Sequence, residues 1–517
     1  MANALDQAQA TSAQDPIGKG KVGEPDQPNK VGVKIKAAIF FDGTGNNENN
    51  TKKRIKDPYY MTMEFDPLGR RGSYKNAYSN VALLHFMHQK KVGNEKIISV
   101  YMEGIGTTND GNDDISGGGF GSGPTGIPAR VTEGIKRLES SIKSLLIATE
   151  DSYLEELTVY AFGFSRGAAA ARHFCARRTD SRGRENNLCK ALGVDPAVVK
   201  LKFVGLFDSV SSFDENDKED TSLSSLLGKA VRHKLFNDYS FRNDVPELHL
   251  WLDDPTLEKV VQLRAADEYR VNFSITTIES ATSQQKGLEL LLPGAHSDIG
   301  GGYQPGATEK LEYKNPAQYK LAAHFQRQGW YLPAQLVTTW KDKGQGVPRQ
   351  KIVTGTRTLG NSFQHVSLAV MLKLIVAAEC EIKFDSPTAP DERTAKYTVP
   401  PGRLATVRDQ LAGFAVAQFG ARPATAVTAP VADADYRWLR QHYLHLSWSN
   451  NTGMEMRVNT SAYDAKLEAH SQRQLAAMEA ARQQAPADSS GSLPPMPPME
   501  ELPPNDSYLP TRLPIPG

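Results

Sequence analysis

The sequence predicts an α/β protein: a mostly parallel sheet with helices on both faces, followed by a helical C-terminal region. Three observations carry this. Apolar runs of strand length alternate with stretches of helical periodicity from about residue 33 onward. Each run ends in a polar or glycine-rich loop. Asp42, Ser165, Asp208 and His296 all fall at or just beyond the C-terminal ends of such runs. That is the rim where open parallel sheets carry their ligand chemistry.

The elements follow in order. Residues 1–32 are polar, rich in Gln, Asp, Gly and Pro, and read as a disordered leader. They have neither the apolar core of a signal peptide nor the character of a transit peptide. Residues 33–316 form the expected catalytic domain. Its first strand, Ala37 to Phe41, closes on Asp42-Gly43-Thr44-Gly45-Asn46-Asn47. Asn49 to Gly72 is a polar excursion, Asn80 to His88 a helix, and Ile97 to Met102 a strand. A glycine-dense loop, Gly111 to Gly126, precedes a helix over Pro128 to Thr149, with Val131, Ile135, Leu138 and Ile142 on one face. Strands follow at Leu157 to Phe162, Lys202 to Phe207, Phe273 to Ile278 and Leu288 to Leu292. Residues 317–484 are expected to be mainly helical and to pack on the catalytic domain. Leu368 to Ala378 is the longest apolar run and falls short of the ~18 residues that span a bilayer. Tyr463 to Gln484 reads as a polar, alanine-rich helix, and 485–517 as a proline-rich disordered tail.

Composition narrows the function. The 517 residues carry 60 basic and 59 acidic side chains, a formal net charge of +1. No global field draws the chain to nucleic acid or to an anionic membrane. The three cysteines, Cys175, Cys189 and Cys380, sit in no metal or redox spacing, which suits folding in a reducing compartment. No cofactor is expected. Calcium stays open, since Asp42, Asp208 and Asp298 show no ligand-loop spacing.

The chemistry centres on Gly163-Phe164-Ser165-Arg166-Gly167. Short Gly/Ser matches arise by chance, but this one follows an apolar strand and precedes the helix-forming run Ala168 to Arg172. That is a nucleophile elbow, which lifts a serine onto the sheet rim at a helix N-terminus. One glycine is expected to allow the sharp turn, the other the close approach of helix and strand. A serine hydroxyl needs a base to take its proton, and the base needs an acid to orient it. The chain order Ser165, Asp208, His296 is that of the α/β-hydrolases. Asp208 ends an apolar strand, with Asp214 the nearest substitute. His296 lies in a glycine-flanked loop, with His365 and His445 the next candidate bases. Asp298 either competes as the orienting acid or ties down that loop. Oxyanion donors are expected from the backbone of Arg166, after the nucleophile, and of Gly43 and Thr44, after the first strand. Asp42 is read as shaping that loop.

Four blocks together resemble a known family: residues 40–47, 163–172, 204–210 and 293–303, with a less specific fifth at Tyr443-Leu444-His445-Leu446-Ser447. They are similar to the signature blocks of the type VI secretion lipase effectors, in the first group of that superfamily. The resemblance spans roughly residues 35 to 450. It implies an α/β-hydrolase fold and phospholipase A-type cleavage of glycerophospholipid esters, with the triad carried onto Ser165, Asp208 and His296. It also implies synthesis in a bacterial cytoplasm without a Sec signal, loading onto a secretion-machine carrier or adaptor, and action at the membrane or periplasm of a target cell. A cognate immunity protein would protect the producer. A candidate lid is Ser222 to Phe241, with Leu223, Leu226, Leu227 and Phe236 among Lys229, Arg232 and Lys234. A packed surface helix would show the same pattern.

Two other readings stand beside this one. A soluble carboxylesterase or neutral-lipid lipase would use the same residues. An actin-like nucleotide-binding protein would use Asp42-Gly43-Thr44-Gly45 as a phosphate loop and Gly300 to Gly302 as a second; it leaves the elbow unexplained.

Overall fold

The computed structural model describes residues 30–57, 72–114, 123–179, 187–211, 248–342, 349–385, 397–450, 454–457, 473 and 510–517. Its centre is a sheet of seven strands: β1 (Val31–Phe41), β2 (Lys96–Met102), β3 (Ser152–Phe164), β4 (Val199–Phe207), β5 (Lys259–Ala265), β7 (Gly287–Leu292) and β11 (Val427–Thr428). They lie in the order β11-β7-β5-β4-β3-β1-β2. Every neighbouring pair is parallel.

Side chains alternate across such a strand, so a central strand feeds two cores. On β3, Leu157, Val159 and Ala161 face one core with α3 (Ile127–Ile147) and α4 (Arg166–Ala176). Tyr160, Phe162 and Phe164 face the other, with α2 (Asn80–Met87), α7 (Phe363–Ala377) and α8 (Arg403–Ala421). The polar excursion after β1 begins as a helix, α1 (Glu48–Lys56), because Asn47 Oδ1 accepts from the N–H groups of Asn49 and Asn50. The α/β architecture is as the sequence predicts.

Four details differ. Strand β5 is absent from the sequence reading because Gln262 and Arg264 interrupt its apolar run. Gln262 is nonetheless buried, its amide donating to Glu289 Oε1 at 2.6 Å and Thr276 O at 2.9 Å. The strand expected over 273–278 shrinks to β6 (Ile275–Thr276), outside the main sheet, since Phe273 turns toward His296 instead. The region after 317 holds more than helices. β9 (Leu336–Lys341) and β10 (Gln350–Leu359) join β8 (Ala307–Tyr313) in an antiparallel sheet, built from the β-branched run Val337-Thr338-Thr339 and its partners. Finally, the tail expected to be disordered over 485–517 has a placed segment, 510–517, in which β12 (Pro514–Ile515) pairs with β6. An extended Pro-Ile-Pro backbone suits an edge strand. The candidate lid, half of the glycine-dense loop and nearly all of the Tyr463 to Gln484 helix lie outside the described residues.

Candidate active site

The elbow forms as the sequence order dictates, but its strain falls elsewhere than expected. Neither Gly163 nor Gly167 has a positive φ; Ser165 itself does, with φ 58° and ψ −129°. A non-glycine residue there costs about 1–3 kcal/mol and persists only where its surroundings enforce it. They do. Ser165 N–H donates to Phe207 O at 3.0 Å, and Val210 N–H donates to Ser165 O at 3.3 Å. Both glycines serve close approach. A Cβ at Gly163 would lie 2.4 Å from Gly167 O, and one at Gly167 would lie 2.2 Å from Asp42 O.

Asp208 follows β4 directly, the strand beside the nucleophile strand, and it too has positive φ, 48°. It is fully buried. Oδ1 accepts from Ala265 N–H at 2.8 Å, and Oδ2 accepts from His296 Nδ1 at 2.6 Å. Burial pushes this carboxyl up, but Arg512 and His296 outweigh it and hold it well below the usual carboxylate range. His296 opens α5 (His296–Gly300), just past β7. Its backbone N–H donates to Glu268 Oε2 at 3.1 Å, and its imidazole lies between Phe164 and Phe273, at centroid distances of 4.6 and 5.0 Å. Burial lowers the imidazole below its ordinary value, opposed by Asp208. The ring is thus kept neutral, with Nδ1 committed to an acceptor.

The loop after β1 lies alongside. Asp42 is buried and accepts three bonds, from Ser79 Oγ at 2.5 Å, Tyr101 OH at 2.6 Å and Gly43 N–H at 2.7 Å. Burial raises its carboxyl to about 6, against those three donors. This carboxylate supports the loop, and its committed oxygens are poorly placed to hold a nucleotide phosphate or its metal. The Gly43 N–H is taken by the Asp42 side chain, which leaves Thr44 as the better candidate donor from this loop. Arg166 Nε donates to Thr44 Oγ1 at 2.8 Å and ties the loop to the elbow. The Arg166 N–H belongs to the first turn of α4, where helix geometry supplies no acceptor.

The other candidates separate from these. Asp298 is not the hydrogen-bond partner of His296 Nδ1, which is Asp208. Its Oδ2 accepts from Ala295 N–H and His445 N–H, both at 2.9 Å, and its Oδ1 accepts from His445 Nδ1 at 2.7 Å. Asp298 and His445 form a second acid–imidazole pair that pins the histidine loop to the chain after α9 (Asp433–His442), with Tyr303 stacked on His445. His365 lies on α7 in the wall of a cavity of about 570 Å³, with Leu368, Leu372, Lys373, Val376 and Arg408. That cavity includes none of Ser165, Asp208 or His296. Asp214 lies outside the described residues. Among the described residues no cluster of three or more His, Cys, Asp or Glu could hold a metal ion, and no helix is long and apolar enough to cross a membrane.

Sequence reasoning missed Phe273, the buried pair Glu268–Arg270 (2.8 Å) and Arg512. The run Asp267-Glu268-Tyr269-Arg270 was a signal, being charged residues just past an apolar segment. Nothing in the spacing joins Arg512 to Asp208, 304 residues earlier.

Comparisons with known proteins support the fold. The model of the T6SS phospholipase effector Tle1-like catalytic domain matches residues 176–322. Over those residues the chain is similar to that catalytic domain. The matched stretch contains Asp208 and His296 but begins at Ala176, the last residue of the elbow helix, so Ser165 lies outside it. A solved structure described as the Tle1 effector bound to the VgrG spike of the type 6 secretion system is similar over 81% of this chain and 85% of that one, with 23% identity and a TM-score of 0.55. At that identity the likeness establishes the fold. An uncharacterised protein from Pseudomonas aeruginosa is more distant, with 16% identity, 90% and 61% coverage and a TM-score of 0.34. No curated protein matches the sequence.

Proposed function

We propose that this Tle1-like protein is a serine phospholipase of the A type. The observation that carries the reading is the 2.6 Å bond between His296 Nδ1 and Asp208 Oδ2 at the rim where the strained Ser165 turns. Ser165 Oγ attacks the acyl ester carbonyl while His296 Nε2 takes its proton, and Asp208 stabilises the resulting imidazolium. The N–H groups of Arg166 and Thr44 are the proposed donors to the oxyanion; one such donor is worth about 10²–10³ in kcat. The imidazolium then protonates the leaving lysolipid oxygen. Water, deprotonated by the same ring, frees the fatty acid and restores Ser165. No step needs a metal, so a chelator should leave the rate unchanged.

As an effector of this family, the protein would be delivered by the type VI machine, on a carrier such as the VgrG spike named for the similar structure, to the phospholipid of a target cell. A cognate immunity protein in the producer belongs to the same reading. The test is fatty-acid release from phospholipid vesicles by wild type and Ser165→Ala. Release that vanishes in the variant supports the nucleophile and the substrate class together. Equal release by both removes the triad. Hydrolysis of short soluble esters alone moves the substrate to the esterase reading.

A further inference from the structure

The segment 510–517 reaches the site through one side chain. Arg512 Nη1 donates to Asp208 Oδ1 at 2.7 Å, and Nη2 donates to Asp208 Oδ2 at 2.8 Å. Its Nε donates to Phe273 O at 2.7 Å, so the guanidinium is held at both ends. The backbone around it is fixed as well. Thr511 N–H donates to Arg457 O, while Leu513 O and Ile515 O accept from Ile275 and Thr277. The Arg512 side chain is 9% exposed and that of Asp208 0%.

We infer that Arg512 is a positioning residue of the hydrolytic site, gripping both oxygens of Asp208 and thereby setting the orientation and basicity of His296. The inference rests on the triad reading above. Each Asp208 oxygen accepts two bonds, Oδ1 from Ala265 and Arg512, Oδ2 from His296 and Arg512. A carboxylate saturated in this way cannot rotate, and one lone pair stays aimed at Nδ1. A bidentate fork supplies that constraint; a point charge does not.

The charge balance leads to the same place. The groups around His296 are Asp208, Glu268 and Arg270, with Arg512 across Asp208 and the Tyr303 hydroxyl kept neutral by burial. Glu268 and Arg270 neutralise each other, so Arg512 is what balances Asp208. Without it, the imidazole faces one uncompensated negative charge in a buried site. Its protonated form is then favoured, and the base is active only at higher pH.

The test uses the full chain as wild type, Arg512→Gln, Arg512→Lys and Ser165→Ala, with kcat and KM on phospholipid vesicles, the pH profile of kcat/KM and a thermal melt for each. For Arg512→Gln the expected result is a kcat lower by about ten- to a hundredfold, the scale of a misplaced catalytic group, with KM little changed and the acidic limb moved to higher pH. Arg512→Lys keeps the charge and loses the fork. Its limb should return to the wild-type position with a kcat between the other two, and this variant decides the matter if Arg512→Gln does not fold. Wild-type kcat in either variant overturns the inference. So does a fall in rate with an unmoved limb in Arg512→Gln, which marks a merely structural strap. Activity surviving in Ser165→Ala overturns the triad reading instead, and is distinguishable from both.

Discussion

The ring of Phe164 lies against the imidazole of His296, centroids 4.6 Å apart and planes tilted by 34°. Phe164 is the residue before the nucleophile, so the elbow touches the proposed base through its own neighbour. The same ring fills the space that side chains at 43 and 300 would take. A Cβ at Gly43 would lie 2.4 Å from it, and one at Gly300 would lie 1.9 Å away. One aromatic side chain therefore sets the spacing of three loops that come from distant parts of the sequence.

Gly300→Ala should expose that dependence. The methyl can fit only if Phe164 moves, and Phe164 moves against His296. Overpacking of this kind costs about 1–3 kcal/mol, and a displacement of ~1 Å at the base costs about a hundredfold in kcat. Melting curves and kcat measured on the same preparation check it. A variant with wild-type kcat would mean that the imidazole is held independently of Phe164.

Asp42→Asn should destabilise the protein while leaving measurable activity. All three groups that meet the carboxylate are donors: Ser79 Oγ, Tyr101 OH and Gly43 N–H. An amide brings two N–H donors into that site, so a hydroxyl must turn away or go unpaired. The expected loss is about 1–3 kcal/mol, read from denaturant midpoints, with a smaller fall in kcat than any triad substitution gives.

The activity should extend unusually far into acid. Burial lowers His296, against the pull of Asp208. The base works in its neutral form, so its rate is lost only as pH falls through the lowered value. The acidic limb of kcat/KM, which reports the free enzyme, should therefore lie below the ordinary histidine value of about 6.5. A limb at or above that value would contradict the buried, neutral ring.

Stability should nevertheless fall in the same direction. Burial lowers both His88 and His365 to about 4. Between pH ~6.5 and ~4 the unfolded chain takes up protons on both that the folded one refuses. Asp42, raised to about 6, acts in the opposite sense over roughly pH 6 to 4, because there the folded state holds a proton that the unfolded state has lost. The two histidines outweigh the one carboxyl, so acidification costs stability on the order of 1 kcal/mol per pH unit, and His296 adds to it. Both His88 ring nitrogens are buried with no hydrogen-bond partner among the described residues, and the ring lies between Phe40 and Phe384. His88→Phe should therefore raise Tm near neutral pH and flatten its fall toward pH ~4.5. An unchanged slope would mean that His88 does not titrate in this way.

Much of this was legible in the chain. Loops that follow apolar runs announce themselves, so the segments carrying Asp42, Ser165, Asp208 and His296 could be placed on one rim before any coordinates. What escaped were features whose logic is pairwise. Gln262 hides β5 because its partners, Glu289 and Thr276, lie on other segments. Phe273 looks like one more strand residue until its contact with the imidazole is seen. Asp298 and His445 were rivals for catalytic roles in the sequence and turned out to be partners of each other. No local pattern encodes an arginine in a proline-rich stretch meeting an aspartate at the far side of the domain.

The 304 residues between Asp208 and Arg512 are also an interval of time. A ribosome adding about 5–20 residues per second needs roughly 15–60 s to travel that distance. Throughout it the nascent chain already carries the proposed nucleophile and acid, and for most of it the proposed base as well, while the guanidinium that grips Asp208 has yet to be made. If the proposed lipid hydrolase is assembled in this order, it would be poorly competent during its own synthesis, inside a cell whose membranes would be its substrate.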